Sequence, residues 1–306
     1  MLHESFSSRF CGKSGRGTAP GEVRMPRPCI ISVCNAKGGV GKSTITINLS
    51  TVMASRGARS VLVVDMDPQC NTTAFFSQGG LGLYPRTLYE VISDQVDNPT
   101  DEYIQSHIYS TDYRGVDILP NSEMVSAIEL GLITSLVNPD LMKPQLLHRL
   151  RTFLRDYALR NYDVVLIDCP PSLGLWSINA LICSDFVIVP IESTSTRSLE
   201  GLNLALKAIS NIKKSNNPDL KFLRLLINKV DKRKTSSKQL MSRVYDKYGK
   251  DNCFDTTISN HDSFNESEAG KIPVISHSPH SNAATQLREL GKEIFEIIEE
   301  EYEWKG

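Results

Sequence analysis

The apolar run Ile30-Ile31-Ser32-Val33, then Ala36-Lys37-Gly38-Gly39-Val40-Gly41-Lys42-Ser43, then apolar residues at Ile45, Ile47, Leu49, Val52 and Met53, decides the fold. Strand, glycine-rich turn and helix start stand in the order that lets backbone N–H groups wrap a polyphosphate, with Lys42 on the β/γ oxygens and the Ser43 hydroxyl on Mg²⁺. A side chain at Gly38, Gly39 or Gly41 would restrict positive φ or hold the backbone away from the phosphates. The loop opens on Ala36 where many phosphate loops have glycine. The strand before it and the helix after it supply the context that the motif requires.

A second lysine, Lys37, lies inside the loop directly before Gly38-Gly39. An ordinary phosphate loop has no need of it. Its ammonium stands next to the phosphates but on the outer side, placed to reach a nucleotide held by another subunit. The run Lys37 to Thr44 resembles the deviant Walker A motif of the ParA/MinD family of ATPases, in which the first lysine is a signature residue that crosses a sandwich dimer. The resemblance implies that Lys37, Gly38, Gly39, Val40, Gly41, Lys42, Ser43 and Thr44 bind ATP, and that Lys37 and Lys42 act in its hydrolysis.

Further along, Ser60-Val61-Leu62-Val63-Val64 is a short apolar strand ending in Asp65-Met66-Asp67-Pro68-Gln69. Carboxylates at a strand's C-terminal end face the ligand crevice of an open α/β sheet. Asp65 sits near a metal or braces the loop; Asp67 orients an attacking water or caps a turn. Asp-x-Asp-Pro-Gln resembles the family's second motif, whose second Asp is tied to hydrolysis, which implies a catalytic Asp67. A helix from about Pro144 to Arg160 precedes a second buried strand, Val164-Val165-Leu166-Ile167, which ends in Asp168 and fits the Walker B role of binding Mg²⁺ directly or through water. The metal residues are therefore Ser43, Asp65 and Asp168. Between these motifs, residues 79–115 show a loop at Gly79 to Gly82 and a short helix from Thr87 to Ser93, with a strand following at 116–120.

The strand Phe222 to Ile227 leads to Asn228-Lys229-Val230-Asp231, which resembles the Asn-Lys-x-Asp signature by which GTPases read guanine. ATP is favoured, since in ParA-like proteins an Asn at the end of this strand contacts adenine. Residues 229–250 then carry eight Lys/Arg against two Asp and read as a helix with a basic face. In the Soj-like branch an arginine just after this strand takes part in sequence-independent DNA binding, and Arg233 aligns with it. Lys229, Lys232, Arg233 and Lys234 are the implied DNA contacts, with Lys213 and Lys214 in reserve. A second family arginine would fall within residues 258–263, and none is there.

The 306 residues carry a net charge of −1, which hides this local asymmetry: residues 286–306 hold seven Glu against three Lys/Arg. That last helix, apolar on one face and acidic on the other, lacks the basic face of a membrane-targeting helix. Seven scattered cysteines without a C-x-x-C pair suggest neither a disulfide scaffold nor a zinc site, and point to a reducing cytoplasm. Residues 1–28 read as a disordered, mildly basic leader, and residues 29–306 as one doubly wound α/β domain with a mostly parallel sheet and helices on both faces. The resemblance implies a homodimer around two ATP·Mg²⁺ that binds DNA non-specifically, associates with the nucleoid and is released by a ParB-like partner during plasmid or chromosome segregation. Rivals are a positioner of another cargo, a MinD-like regulator of division, a small-molecule kinase, and an iron–sulfur ATPase, whose paired cysteines are missing.

Overall fold

The computed structural model describes residues 27–303 apart from 57, 59, 78–79, 95, 129–143, 194–197 and 232. Lys232 and all but the last two residues of the expected leader lie outside the described residues. Seven strands, β1 (Cys29–Val33), β2 (Val61–Asp65), β3 (Tyr109–Ser110), β4 (Val116–Leu119), β5 (Val164–Asp168), β6 (Phe186–Glu192) and β7 (Lys221–Asn228), form one sheet in the order β3-β4-β2-β5-β1-β6-β7. All neighbours are parallel except the short edge pair β3 and β4. Strands β1, β2 and β5 are buried at every position, as a parallel sheet covered on both faces requires.

The period of two along the strands divides the core. Ile30, Val165 and Ile167 face one side, against α3 (Leu88–Ser93), α5 (Arg149–Asn161), α6 (Leu175–Cys183), α7 (Ser198–Ser215) and α8 (Thr235–Tyr248). Ile31, Val164 and Leu166 face the other, against α1 (Lys42–Arg56) and the C-terminal helix Asn282–Glu303. In that helix Gly291 permits close approach, since a Cβ there would stand 2.8 Å from Val52 Cγ1 of α1. This contact repays the roughly 1 kcal/mol that glycine costs in a helix interior.

Two expected helices begin later than the sequence suggests. The one expected from Pro144 starts as a 3₁₀ turn over Pro144–His148 and becomes α-helical at Arg149, where Asn179 Oδ1 from α6 accepts the Leu150 N–H at 3.1 Å. The helix expected from Lys229 starts at Thr235. Lys229 has φ +54°, and Asp231 folds the chain into a turn, its Oδ1 accepting the Arg233 N–H at 3.1 Å. A local side-chain acceptor of this kind competes with helix formation.

Candidate functional site

Strand β1 ends between β5 and β6, and there the chain leaves the sheet at its C-terminal edge. Asn35, fully buried, shapes the exit: its Nδ2 donates to Pro190 O at 2.7 Å and its Oδ1 accepts the Lys37 N–H at 3.0 Å. Gly39 and Gly41 have φ of +75° and +92°. A Cβ on Gly39 would meet nothing within 4 Å, so its requirement is conformational; on Gly41 it would lie 2.3 Å from Asn228 Nδ2. Asn228, at the end of β7, donates Nδ2 to Val40 O at 2.8 Å, and its Oδ1 accepts the Lys229 N–H at 2.8 Å. The residue expected on adenine thus pins the phosphate loop to β7.

The two loop lysines go different ways. Lys42, the first residue of α1, is buried and folds back across the loop, donating Nζ to Lys37 O at 3.2 Å. Lys37 stays at the rim, where its Nζ pairs with Glu192 Oε2 at 2.9 Å and both side chains are about a quarter exposed. Glu192 closes β6, and nothing in Pro190-Ile191-Glu192 marks it in the sequence. Gly201 of α7 leaves room for this arrangement, since a Cβ there would come to 3.0 Å from Lys37 Cβ.

Two carboxylates stand side by side at adjacent strand ends, Asp168 of β5 being in register with Asp65 of β2 on one side and with Val33 of β1 on the other. Asp65 accepts from Asp67 N at 3.0 Å, Thr73 N at 2.8 Å and Thr73 Oγ1 at 2.7 Å. These three bonds tie Asp65 to the turn that follows β2. Asp168 Oδ2 accepts Thr72 Oγ1 at 2.7 Å, while its Oδ1 is buried without a hydrogen-bond partner and the Ser43 hydroxyl lies beside the carboxylate. An orphaned carboxylate oxygen next to a hydroxyl fits Mg²⁺, which takes one or two protein oxygens and completes its shell with water and phosphate. Burial and the facing Asp168 push Asp65 up to about 8, and burial pushes Asp168 up to about 6.

Asp67 is buried on the turn that follows. Its Oδ1 accepts the Gln69 N–H at 3.0 Å, and its carbonyl accepts Asn121 Nδ2 at 3.0 Å. Burial raises its pKa, against the pull of the Gln69 N–H and the Lys42 charge. Thr72, Thr73 and Asn121 escaped the sequence reading because they act by buttressing these acids, through contacts that no local pattern encodes.

The family model of the AAA domain matches residues 29–222. The sporulation initiation inhibitor protein Soj of Bacillus subtilis is 32% identical over 87% of this chain and 97% of its own length. The chromosome partitioning protein ParA of Myxococcus xanthus is 34% identical, covering 87% of each chain. The chain belongs to the ParA/MinD family of P-loop ATPases. Among solved structures, cobyrinic acid a,c-diamide synthase of Mycobacterium smegmatis, with an ATP analogue and magnesium bound, superposes with a TM-score of 0.69 at 27% identity, covering 87% of this chain and 93% of that one.

Asp231, the acid that would read guanine, is engaged elsewhere in this ParA/MinD chain: Arg233 Nε lies 3.3 Å and Lys234 Nζ 3.9 Å from its carboxylate. Those donors hold Asp231 below the usual carboxylate range, Arg233 foremost. Arg233 and Lys234 are exposed beyond the end of β7, and Lys229 is half-buried. Among the described residues, no helix is long and apolar enough to cross a membrane.

Proposed function

We propose that this protein is a partitioning ATPase that dimerises around two ATP·Mg²⁺, binds DNA without sequence preference as the dimer, and lets go when a ParB-like partner stimulates hydrolysis. It works in the cytoplasm on the nucleoid. The observation that carries the reading is Lys37, a second lysine in the phosphate loop, held at the rim rather than over its own loop. The likeness to Soj and ParA along nearly their whole length supports it.

In this reading each residue has a role. Backbone N–H groups of Gly38 to Thr44 and the Lys42 ammonium hold the β- and γ-phosphates. Bound at Ser43 and Asp168, Mg²⁺ would neutralise phosphate charge. Asp67, fixed by Gln69 and Asn121, orients the water. Lys37 leaves Glu192 and adds its charge to the partner's nucleotide, so that the site is complete only in the dimer.

Light scattering tests this directly. With ATP·Mg²⁺ the wild type goes from monomer to dimer, and Lys37→Ala binds ATP but stays monomeric. A wild type that remains monomeric with ATP, or a Lys37→Ala protein that dimerises as well as wild type, overturns the reading.

A further inference from the structure

The two buried acids at the strand ends are not satisfied alike. Asp65 has donors on both oxygens, Asp67 N on Oδ1 at 3.0 Å and Thr73 N and Oγ1 on Oδ2 at 2.8 and 2.7 Å. On Asp168 the oxygens differ: Thr72 Oγ1 donates to Oδ2 at 2.7 Å, whereas Oδ1 is buried without a hydrogen-bond partner and the Ser43 hydroxyl lies beside the carboxylate. The donors come from neighbouring residues of the short helix α2 (Asn71–Phe76). Successive side chains on a helix point about 100° apart, so Thr73 reaches Asp65 on β2 while Thr72 reaches Asp168 on β5, whose ends are in register. The helix is anchored to the Asp67 turn, where Cys70 N donates to Asp67 O at 2.8 Å, and to the chain leaving β4, where Asn121 N donates to Thr73 Oγ1 at 2.8 Å. Thr72, Thr73 and both acids are fully buried, so bulk solvent cannot substitute for either hydroxyl.

We propose that Thr72 is a positioning residue for magnesium: by holding Oδ2 of Asp168 it leaves Oδ1, beside Ser43, as the metal acceptor, whereas Thr73 closes Asp65 and keeps that acid out of the metal's shell. The proposal rests on the ATP·Mg²⁺ part of the reading above and adds the residue that sets which oxygen of which acid meets the ion. A carboxylate turns readily about its last torsion, whose energy wells are broad, while Mg²⁺ demands near-octahedral geometry. A hydroxyl that donates to an ionised carboxylate makes a short, charge-assisted bond. From Thr72 that bond fixes the torsion without using the oxygen the ion needs. Partners standing behind a metal ligand in this way set affinity as well as orientation.

Three variants of the full chain separate the hydroxyl from the volume it occupies. Thr72→Val keeps the shape and loses the donor, Thr72→Ser keeps the donor and loses a methyl group, and Thr72→Ala loses both. Protein stripped of metal with EDTA is given a fluorescent ATP analogue and titrated with Mg²⁺, and the free Mg²⁺ at half-maximal signal is read. Thr72→Val and Thr72→Ala should need about 10- to 100-fold more Mg²⁺ than wild type. Thr72→Ser should stay close to wild type, and binding of the analogue in EDTA should be the same for all four proteins. Should Thr72→Val fail to fold, the Ser and Ala variants, which differ by the hydroxyl alone, decide. A wild-type Mg²⁺ midpoint without the hydroxyl overturns the proposal. So does a loss that follows volume, with Ser impaired and Val not, or a loss already present in EDTA; in each of these cases the ATP·Mg²⁺ reading stands. A wild type whose binding of the analogue ignores Mg²⁺ overturns both.

Discussion

Gly41→Ala tests how the phosphate loop is held. Gly41 has φ +92°, a region that costs an L-residue on the order of 1–2 kcal/mol. The new Cβ would also stand 2.3 Å from Asn228 Nδ2. The amide has to swing away, which breaks its 2.8 Å bond to Val40 O and leaves a buried carbonyl unmet at a further cost of about 1–3 kcal/mol. A total near 3 kcal/mol, set against restoring the loop around the phosphates, weakens ATP binding by roughly 100-fold at 1.4 kcal/mol per decade. Gly39→Ala is the internal control, because its φ is +75° but a Cβ there meets nothing within 4 Å. It should lose only about tenfold. Titration of a fluorescent ATP analogue measures both. Equal losses at the two glycines, or binding by Gly41→Ala within threefold of wild type, would refute the role given to Asn228.

Asp67→Ala should bind ATP and dimerise yet release phosphate at least about 100-fold more slowly, the scale of a positioned base; turnover at the wild-type rate would reduce Asp67 to a turn residue. Glu192→Gln removes the carboxylate charge that pairs with Lys37 on its own subunit, so the protein concentration for half-dimerisation with ATP should fall several-fold, and an increase would mean that Glu192 supports the dimer. Asp65 and Asp168 both have folded pKa values above the ordinary one, at about 8 and about 6. The folded, magnesium-free protein therefore binds more protons than the unfolded chain, and the stability from these groups is full below about pH 4 and lost as pH rises through 6 to 8. Asp168→Asn should gain on wild type between about pH 4 and 6 by on the order of 2 kcal/mol in urea unfolding, and a gap that does not widen with pH there contradicts the shift.

The strands and the loop were legible because their chemistry is local. Parallel strands buried on both faces read as unbroken apolar runs, and Val61–Asp65 and Val164–Asp168 stand within a residue of where the sequence puts them. The loop lysines and Asp67 were singled out by spacing, and the structure places them beyond the C-terminal ends of β1 and β2. What could not be read depends on chain reversals. Asn228 meets Val40 across 188 residues, Lys37 meets Glu192 across 155, and Thr72 meets Asp168 across 96. The late start of α8 was hidden for another reason: apolar periodicity from 229 to 250 says nothing of Asp231, whose side chain accepts the Arg233 N–H. The short helix α2 (Asn71–Phe76), which carries Thr72 and Thr73 to the two acids, is too brief for its periodicity to show.

The central claim is that ATP switches this chain into a DNA-binding dimer. The most direct measurement is the affinity of the purified full chain for two unrelated duplexes, with ATP·Mg²⁺, with ADP·Mg²⁺ and without nucleotide, across a range of salt. The account predicts binding with ATP alone, equal for both duplexes and falling steeply with salt as counterions are released. Equal binding with ADP, or a strong preference for one duplex, would contradict it.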